Sequence, residues 1–179
     1  MGLRLAVLLG VGGLACFGAV VSSAHGSRPP LAAAHIPALP ARDPLVTGRC
    51  PIPSRFRDAF VHAARDTGLQ LSMLVAVAQV ESRFDPAAVS SADARGLLQV
   101  MPTTASSLAL DPDRPASNVL AGARYLRLML DRFQRTDLAL AAYNAGPTLV
   151  DRLGRAPSQQ TQTYVANVQQ RWAALAGCN

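Results

Sequence analysis

The chain has 179 residues, half of them apolar, so it can form one domain of ordinary size with a hydrophobic core and a short export segment. Its net charge of +6 comes from arginine alone, because lysine is absent. The arginines are scattered and form no run of four, whereas a nucleic-acid-binding surface has clustered charge interleaved with aromatic residues. These features argue against a nucleic-acid partner and favour attraction to an anionic envelope or wall polymer.

The N-terminal residues have the pattern of an export signal. An apolar run at 5–21 is too short and too rich in glycine for a convincing membrane span. It is followed by Ser22-Ser23-Ala24, small residues at the positions that a signal peptidase reads. We therefore predict a signal peptide over residues 1–24 and an exported protein, in the periplasm or outside the cell. The alternatives are an uncleaved N-terminal anchor and lipidation at Cys16.

Residues 25–49 are predicted to form an extended linker. This stretch contains five prolines and much alanine, and its apolar residues show no periodicity. The globular domain is therefore expected over residues 50–179.

Two cysteines remain once Cys16 leaves with the signal peptide. These residues, Cys50 and Cys178, bracket almost the whole predicted domain. In an oxidising compartment such a pair predicts one disulfide that ties the two ends of the domain together. A bond that closes so long a loop contributes about 2–5 kcal/mol of stability. The alternative is two unrelated thiols.

In the predicted domain the apolar residues recur with a helical period, and no segment shows a convincing alternation of period two. A first helix is predicted to run from Ser54, as its N-cap, to Gly68. A second helix is predicted to begin with Ser72 as its cap. It should end near Phe84, because Asp85-Pro86 cannot readily continue a helix.

The second half of the domain is also predicted to be helical. Residues 96–110 indicate a short helical segment interrupted by Met101-Pro102. Ser117 is expected to cap a long amphipathic helix, and Asp137 to open another that stops at residues 144–147. A last helix is predicted over about residues 161–176. Six or so helices without an internal repeat predict a compact all-α domain.

Glu81 is the only glutamate of the chain, and it closes the apolar stretch at 71–80. A carboxyl group in that position is partly dehydrated, which raises its pKa. The negative end of the helix macrodipole disfavours the carboxylate further. These conditions suit a general acid, although a frayed surface glutamate is the alternative.

Glu81 also belongs to a set of segments that occur in a recognisable order. The segments are ESRFDP at 81–86 with AVS at 88–90, GLLQVMP at 96–102, Asn118-Val119 with Gly122 and Tyr125-Leu126, AAYNAGP at 141–147, and Tyr164-Val165 with Val168. In these segments the chain resembles the soluble lytic transglycosylase family, bacterial relatives of goose-type lysozyme. The resemblance extends from about Cys50 to Trp172. It implies a compact, lysozyme-like helical domain with the goose-type lysozyme and transglycosylase fold over residues 50–179.

The resemblance also implies roles for the residues at matching positions. Glu81 matches the single catalytic acid of the family. The residues that match its sugar-binding cleft are Ser90, Gln99, Met101, Tyr143, Asn144 and Tyr164, and the tyrosine at 143 is expected close to the catalytic glutamate. Each of these six also has an ordinary interpretation: a turn serine, a surface amide, a core methionine, a core aromatic residue, a helix C-cap and a second core aromatic residue, in chain order.

The chain departs from the family pattern at two positions near these residues. Asp93 stands where glycine is usual, and aspartate tolerates turn geometry, so the loop is expected to keep its shape. The substitution places a carboxylate near the cleft. Leu98 stands where methionine is common, which conserves volume.

The implied reaction is cleavage of the β-1,4 bond between N-acetylmuramic acid and N-acetylglucosamine in peptidoglycan, with a 1,6-anhydromuramic product and Glu81 as general acid and base. One alternative is a lysozyme-like muramidase that hydrolyses this bond with Asp85 or Asp93 as a second carboxylate. Another is a peptidoglycan-binding domain without catalysis. The expected partners are glycan strands, with a secretion or wall-remodelling complex as a further candidate, and the chain is expected to be monomeric. Three dispersed histidines and two terminal cysteines lack metal-ligand spacing, so no metal or cofactor is expected.

Overall fold

The computed structural model describes residues 48–178, and this part of the chain is helical. It contains a 3-10 turn and seven α-helices. The turn is Ser54–Phe56, and the helices are α1 (Arg57–Thr67), α2 (Leu71–Glu81), α3 (Pro102–Ser107), α4 (Pro115–Phe133), α5 (Thr136–Ala145), α6 (Pro147–Leu153) and α7 (Gln159–Ala174). The predicted signal peptide, Cys16 and nearly all of the predicted linker lie outside the described residues.

The helix that ends in Glu81 lies in the middle of the fold. Every residue of α2 from Ser72 to Ala78 is buried. A helix that is apolar on all sides is stable only when other elements cover it on all sides. Here α1 and α7 pack against it. The carboxyl group of Glu81 therefore lies at the C-terminal end of a buried helix.

Five helices close a ring around one core. Helix α2 packs against α1, α1 against α4, α4 against α5, α5 against α7, and α7 against α2. Each contributes a side chain with no exposure or almost none, namely Phe60, Leu74, Leu126, Leu140 and Val168. Within this ring the end of α2 meets α7, where the Tyr164 hydroxyl lies 2.7 Å from Glu81 Oε1.

The segment between α2 and α3 has neither helix nor extended strand. Only isolated bridges join Arg95 to Val89 and to Val100. Several of its residues have positive φ, among them Asp93 at 66° and Gly96 at 71°. The prediction of helical structure from residue 96 is therefore wrong before Pro102, because the left-handed turn at Gly96 is incompatible with a helix start.

The predicted serine caps are wrong for three helices. Helix α2 begins one residue before Ser72, which is buried inside it. Helix α4 begins at Pro115, and the hydroxyl of Ser117 instead accepts a hydrogen bond from the Asp111 backbone N–H. Ser54 lies in the 3-10 turn and makes no capping bond to α1. Proline at the first helical position is the stronger start signal at α3, α4 and α6, because its fixed φ is already helical.

Helix α6 was not predicted from the sequence. The predicted helix end at residues 144–147 is correct for α5, since Gly146 has φ of 85° and closes that helix. Pro147 then begins a new helix of seven residues at once. Glycine followed by proline is found where one helix ends and another begins, but it is also found where a helix ends in a loop, so the sequence does not separate the two cases.

A disulfide joins Cys50 to Cys178, the pairing predicted from the cysteine count. The two residues are 128 positions apart in the chain, yet their Cα atoms are separated by 4.7 Å. The bond therefore fastens the segment that precedes α1 to the segment that follows α7.

The described residues contain neither a membrane-spanning helix nor a cluster of metal ligands. No helix among residues 48–178 combines the length and apolarity needed to cross a membrane. The same residues contain no group of three or more His, Cys, Asp or Glu side chains placed to bind a metal ion.

Candidate active site

Glu81 is the last residue of α2, and its side chain is partly buried. Burial removes water that would stabilise the carboxylate, and this raises the pKa of Glu81 to about 7 from an ordinary value of 4.5. The hydrogen bond from Tyr164 acts in the opposite direction and is the smaller effect. The raised pKa agrees with the expectation from the apolar run that precedes this residue. A carboxyl group of this kind can both give and take a proton near neutral pH.

Tyr164 is the direct partner of this acid. It lies on α7 with 7% of its surface exposed, and its hydroxyl donates a hydrogen bond of 2.7 Å to Glu81 Oε1. Burial and the negative charge of Glu81 raise the pKa of Tyr164 well above its usual value of 10. The tyrosine therefore stays protonated and remains a donor whenever the glutamate is ionised.

Replacing Tyr164 with phenylalanine is expected to raise the pKa of Glu81 further, because the hydrogen bond that favours the carboxylate is lost while the burial remains. The carboxyl carbon can be titrated by NMR after labelling with ¹³C-glutamate, because the chain has one glutamate. Tyr125→Phe is the matched control, since it removes a phenol hydroxyl from α4 without touching Glu81. Equal titration midpoints in both variants would rule out this role of Tyr164.

Tyr143 lies close to the same acid but bonds elsewhere. Its hydroxyl donates to the Leu98 carbonyl oxygen at 2.7 Å, and its ring packs on Tyr125 with centroids 5.3 Å apart. Burial raises the pKa of Tyr143 well above the usual range, and the charge of Glu81 raises it further. Because its one proton is committed to Leu98, the oxygen of this tyrosine is left to accept hydrogen bonds.

The side chains of Ser90 and Gln99 both make hydrogen bonds to backbone groups of the segment between α2 and α3. The Gln99 side-chain amide donates to the carbonyl oxygens of Ala88 and Gly96, each at 3.0 Å. The Ser90 hydroxyl accepts from the backbone N–H of Ala94 at 3.0 Å and closes a turn. Both side chains thus shape this loop, and their contact with sugar stays a prediction.

Met101 and Asn144 are exposed. Met101 precedes α3 with 39% of its surface accessible, which is unusual for a methionine that periodicity places in a core. Asn144 lies in the last turn of α5, next to Tyr143. Their predicted contacts with substrate stay predictions, although both are accessible to a ligand.

Two polar residues of this region were not singled out as site residues from the sequence. The Ser82 hydroxyl donates to the Leu97 carbonyl oxygen at 2.9 Å, directly beside Glu81. Asn118 has no exposed surface and makes hydrogen bonds to the backbone of residues 95, 98 and 112. The available signal was its position, since a polar residue on the buried face of an amphipathic helix requires hydrogen-bond partners.

The aspartates nearest to Glu81 in sequence are engaged away from it. Asp85 is exposed and accepts a hydrogen bond from the Ala87 backbone N–H at 2.9 Å. Asp93 pairs with Arg95 at 3.1 Å, and Arg95 also contacts Asp113 at 2.9 Å. The φ of 66° at Asp93 agrees with the prediction that aspartate replaces glycine without loss of the turn.

Comparison with solved structures shows the class of fold. The domain is similar to an inactive glutamate-to-glutamine mutant of the lytic transglycosylase Slt from Pseudomonas aeruginosa, with a TM-score of 0.61, 30% identity, and coverage of 70% of this chain and 24% of that one. It is also similar to the 70 kDa soluble lytic transglycosylase of Escherichia coli, with a TM-score of 0.59, 28% identity, and coverage of 66% and 23%. The predicted all-α, lysozyme-like fold is thereby confirmed.

Sequence comparison shows the family. Residues 58–165, more than half of the chain, match the transglycosylase SLT domain. A membrane-bound lytic murein transglycosylase F of Alkalilimnicola ehrlichii is 37% identical over 100 residues, covering 51% of this chain and 20% of that protein. A putative soluble lytic murein transglycosylase of Haemophilus influenzae is 30% identical over 142 residues, covering 65% and 24%. This chain belongs to the transglycosylase SLT domain family, and it spans about a fifth to a quarter of the length of these relatives.

Proposed function

We propose that this chain is a peptidoglycan lytic transglycosylase that cleaves the β-1,4 bond between N-acetylmuramic acid and N-acetylglucosamine. The observation that carries the proposal is the partly buried carboxyl group of Glu81, whose pKa is raised to about 7 and which accepts a hydrogen bond from Tyr164. The names of the relatives support the reaction class. The inactive glutamate-to-glutamine mutant of the Pseudomonas relative supports a glutamate as the essential group.

In the first step Glu81 acts as a general acid. Its protonated carboxyl gives its proton to the glycosidic oxygen as the bond to the N-acetylglucosamine leaving group breaks. The positive charge that develops at the muramic C1 is met by the N-acetyl group of the same sugar. The partial burial that raises the pKa of Glu81 keeps the proton available for this step near neutral pH.

In the second step the ionised Glu81 acts as a general base. It takes the proton of the muramic 6-hydroxyl, whose oxygen bonds to C1 and closes the 1,6-anhydro ring. Glu81 is then protonated again, and no water has been consumed. Tyr164 donates to the carboxylate between the steps, so the ionised intermediate form is stabilised without a cation.

A muramidase that hydrolyses the same bond would need a second carboxylate across the cleft. Asp85 and Asp93 were the candidates from the sequence. One is bound to a backbone N–H and the other to Arg95, and neither is hydrogen-bonded to Glu81 or its tyrosines. These contacts favour the mechanism with one carboxylate.

Digestion of purified peptidoglycan tests the proposal. Transglycosylation is expected to release muropeptides with anhydro ends, which are lighter by one water than hydrolysis products and resist borohydride reduction. Asp85→Asn and Asp93→Asn are matched controls and are expected to keep the activity. Reducing ends, with activity lost in one of the aspartate variants, would indicate a muramidase. Wall binding without fragment release would indicate a binding domain.

We further propose that the protein acts after export, in the periplasm or at the cell exterior. Its substrate lies there, the sequence begins with the pattern of an export signal, and its net charge of +6 favours approach to an anionic wall. The disulfide between Cys50 and Cys178 is the kind of bond that persists in an oxidising compartment.

A further inference from the structure

Residues 96–98, which we call the anchor segment, connect three helices through backbone groups. The Leu97 carbonyl oxygen accepts from the Ser82 hydroxyl at the end of α2, at 2.9 Å. The Leu98 carbonyl oxygen accepts from the Tyr143 hydroxyl of α5, at 2.7 Å. The Leu98 N–H donates to Asn118 Oδ1 of α4, at 2.9 Å. The anchor segment thus meets both the residue next to Glu81 and the tyrosine nearby.

Asn118 holds this segment through its whole amide group. Its Oδ1 accepts from the Leu98 N–H, and its Nδ2 donates to the carbonyl oxygens of Arg95 at 2.7 Å and Pro112 at 2.9 Å. The side chain has no exposed surface, so water cannot replace these bonds. An aspartate there would lack both donors, and an apolar residue would leave all three backbone groups without their partner.

The fit between the anchor segment and α4 leaves no room for side chains. A Cβ added to Gly96 would lie 2.6 Å from Asn118 Nδ2. A Cβ added to Gly122 would lie 2.6 Å from Leu98 Cβ and 2.9 Å from the Tyr143 hydroxyl. Such distances are too short for real contacts, so both positions require glycine for this approach of the backbones. The amide of Asn118 is therefore fixed both by its hydrogen bonds and by close packing against Gly96.

We propose that Asn118 is a positioning residue for the reaction: by fixing the anchor segment against α4, it fixes Glu81 through Ser82 and fixes the hydroxyl of Tyr143. The inference rests on the proposed role of Glu81. Asn118 itself is buried and acts through these neighbours without touching substrate.

The surroundings of Glu81 determine how its pKa responds when the hydrogen bonds of Asn118 are lost. The titratable groups that face it are Tyr143 from α5 and Tyr164 from α7. The anchor segment adds two fully buried leucines and no charge, and the adjacent Arg95 is paired with aspartates at the surface. A loosened anchor segment therefore admits water to the carboxyl group, and the pKa of Glu81 falls from about 7 toward its ordinary value.

The test is Asn118→Ala in the chain labelled with ¹³C-glutamate, whose one glutamate gives one titrating carboxyl signal. We expect a lower pKa for Glu81 and a kcat on peptidoglycan that is reduced roughly ten- to hundredfold per folded molecule, with KM changed less. Ser117→Ala is the matched control. It removes the neighbouring bond from Asp111 N–H, which does not reach the anchor segment, and it is expected to leave the pKa and kcat unchanged.

An unchanged pKa of Glu81 in folded Asn118→Ala would overturn the proposal, whatever its activity. If that variant does not fold, Ser82→Ala decides the matter, because it removes the hydroxyl that donates to the Leu97 carbonyl oxygen. The same hydroxyl also makes a longer bond of 3.5 Å to the Ala78 carbonyl oxygen, which lies within its own helix and does not reach the anchor segment. A lowered pKa there supports the positioning role, and an unchanged pKa overturns it. The titration needs no substrate. A chain that releases no wall fragments would therefore refute the proposed function and still report on Asn118.

Discussion

Replacing Glu81 with glutamine is expected to abolish the release of muropeptides, with a loss of about 10³-fold or more in kcat, because in the proposed mechanism this one group supplies both proton transfers. Glutamine has the same shape and can still accept the hydrogen bond from Tyr164, so the fold and the binding of glycan should remain. The measurement is the rate of anhydro-muropeptide release by wild type and variant, with cosedimentation on insoluble peptidoglycan as the binding control. Turnover at the wild-type rate in the variant would disprove the assigned mechanism.

The same variant is expected to be more stable than the wild type in alkaline solution. The pKa of Glu81 is about 7 in the folded chain and 4.5 when it is exposed, so the folded state holds the proton more tightly. Wild-type stability is therefore lost as the pH rises from 4.5 through 7, by about 3 kcal/mol in total. Glutamine has no charge to bury and avoids this loss.

Urea unfolding of both proteins at about pH 5 and about pH 8 measures the effect. The free energy of unfolding of Glu81→Gln should exceed that of the wild type more at the higher pH. A difference that stays the same between the two conditions would contradict a carboxyl group that titrates near neutral pH. Loss of activity together with gain of stability is also expected when a residue that destabilises the fold is retained because function requires it.

The second large effect is expected from the disulfide. Replacing Cys50 and Cys178 together with alanine removes a bond across 128 positions of the chain. Because the open chain gains conformational freedom when unfolded, we expect a loss of about 2–5 kcal/mol in stability and a fall of roughly 8–20 °C in Tm. Both cysteines are buried, so some loss of packing adds to the effect.

Reduction by dithiothreitol provides the control. It should lower the Tm of the wild type to near that of the double variant and leave the double variant unchanged. Equal Tm values for all four samples would show that the bond does not stabilise the fold.

The helices that the sequence predicted well are those whose burial pattern is unambiguous. The apolar stretch at 71–80 is too long for a strand, and a helix that buries it must lie inside the domain. Helix starts were predicted poorly because serine serves many local hydrogen bonds. Ser117 caps nothing and instead holds Asp111, a contact that depends on the chain reversal before α4.

The loop between α2 and α3 shows a physical limit of sequence reasoning. Arg83, Phe84 and Gln99 all have positive φ, a conformation that these residues seldom adopt unless the surrounding structure imposes it. For Gln99 the imposing contacts are the hydrogen bonds to Ala88 and Gly96. Propensities of single residues do not include contacts between residues that are distant in the chain, so the loop conformation could not be predicted from them.

The candidate site was predicted in part. Glu81 could be singled out because it is the one glutamate and follows an apolar run. Its partner Tyr164 lies 83 positions away, and only the family resemblance placed it at the active site. Asn118 lies in one of the matching segments, but its role could not be predicted, because its three partners are backbone groups that the sequence does not identify.

The closeness of Cys50 and Cys178 has a consequence for how the domain can be carried. Their Cα atoms are 4.7 Å apart, so a tether fused before the first or after the second attaches at nearly the same spot. A fusion at either end would therefore occupy the same side of the domain and would leave the other sides accessible to a large insoluble substrate.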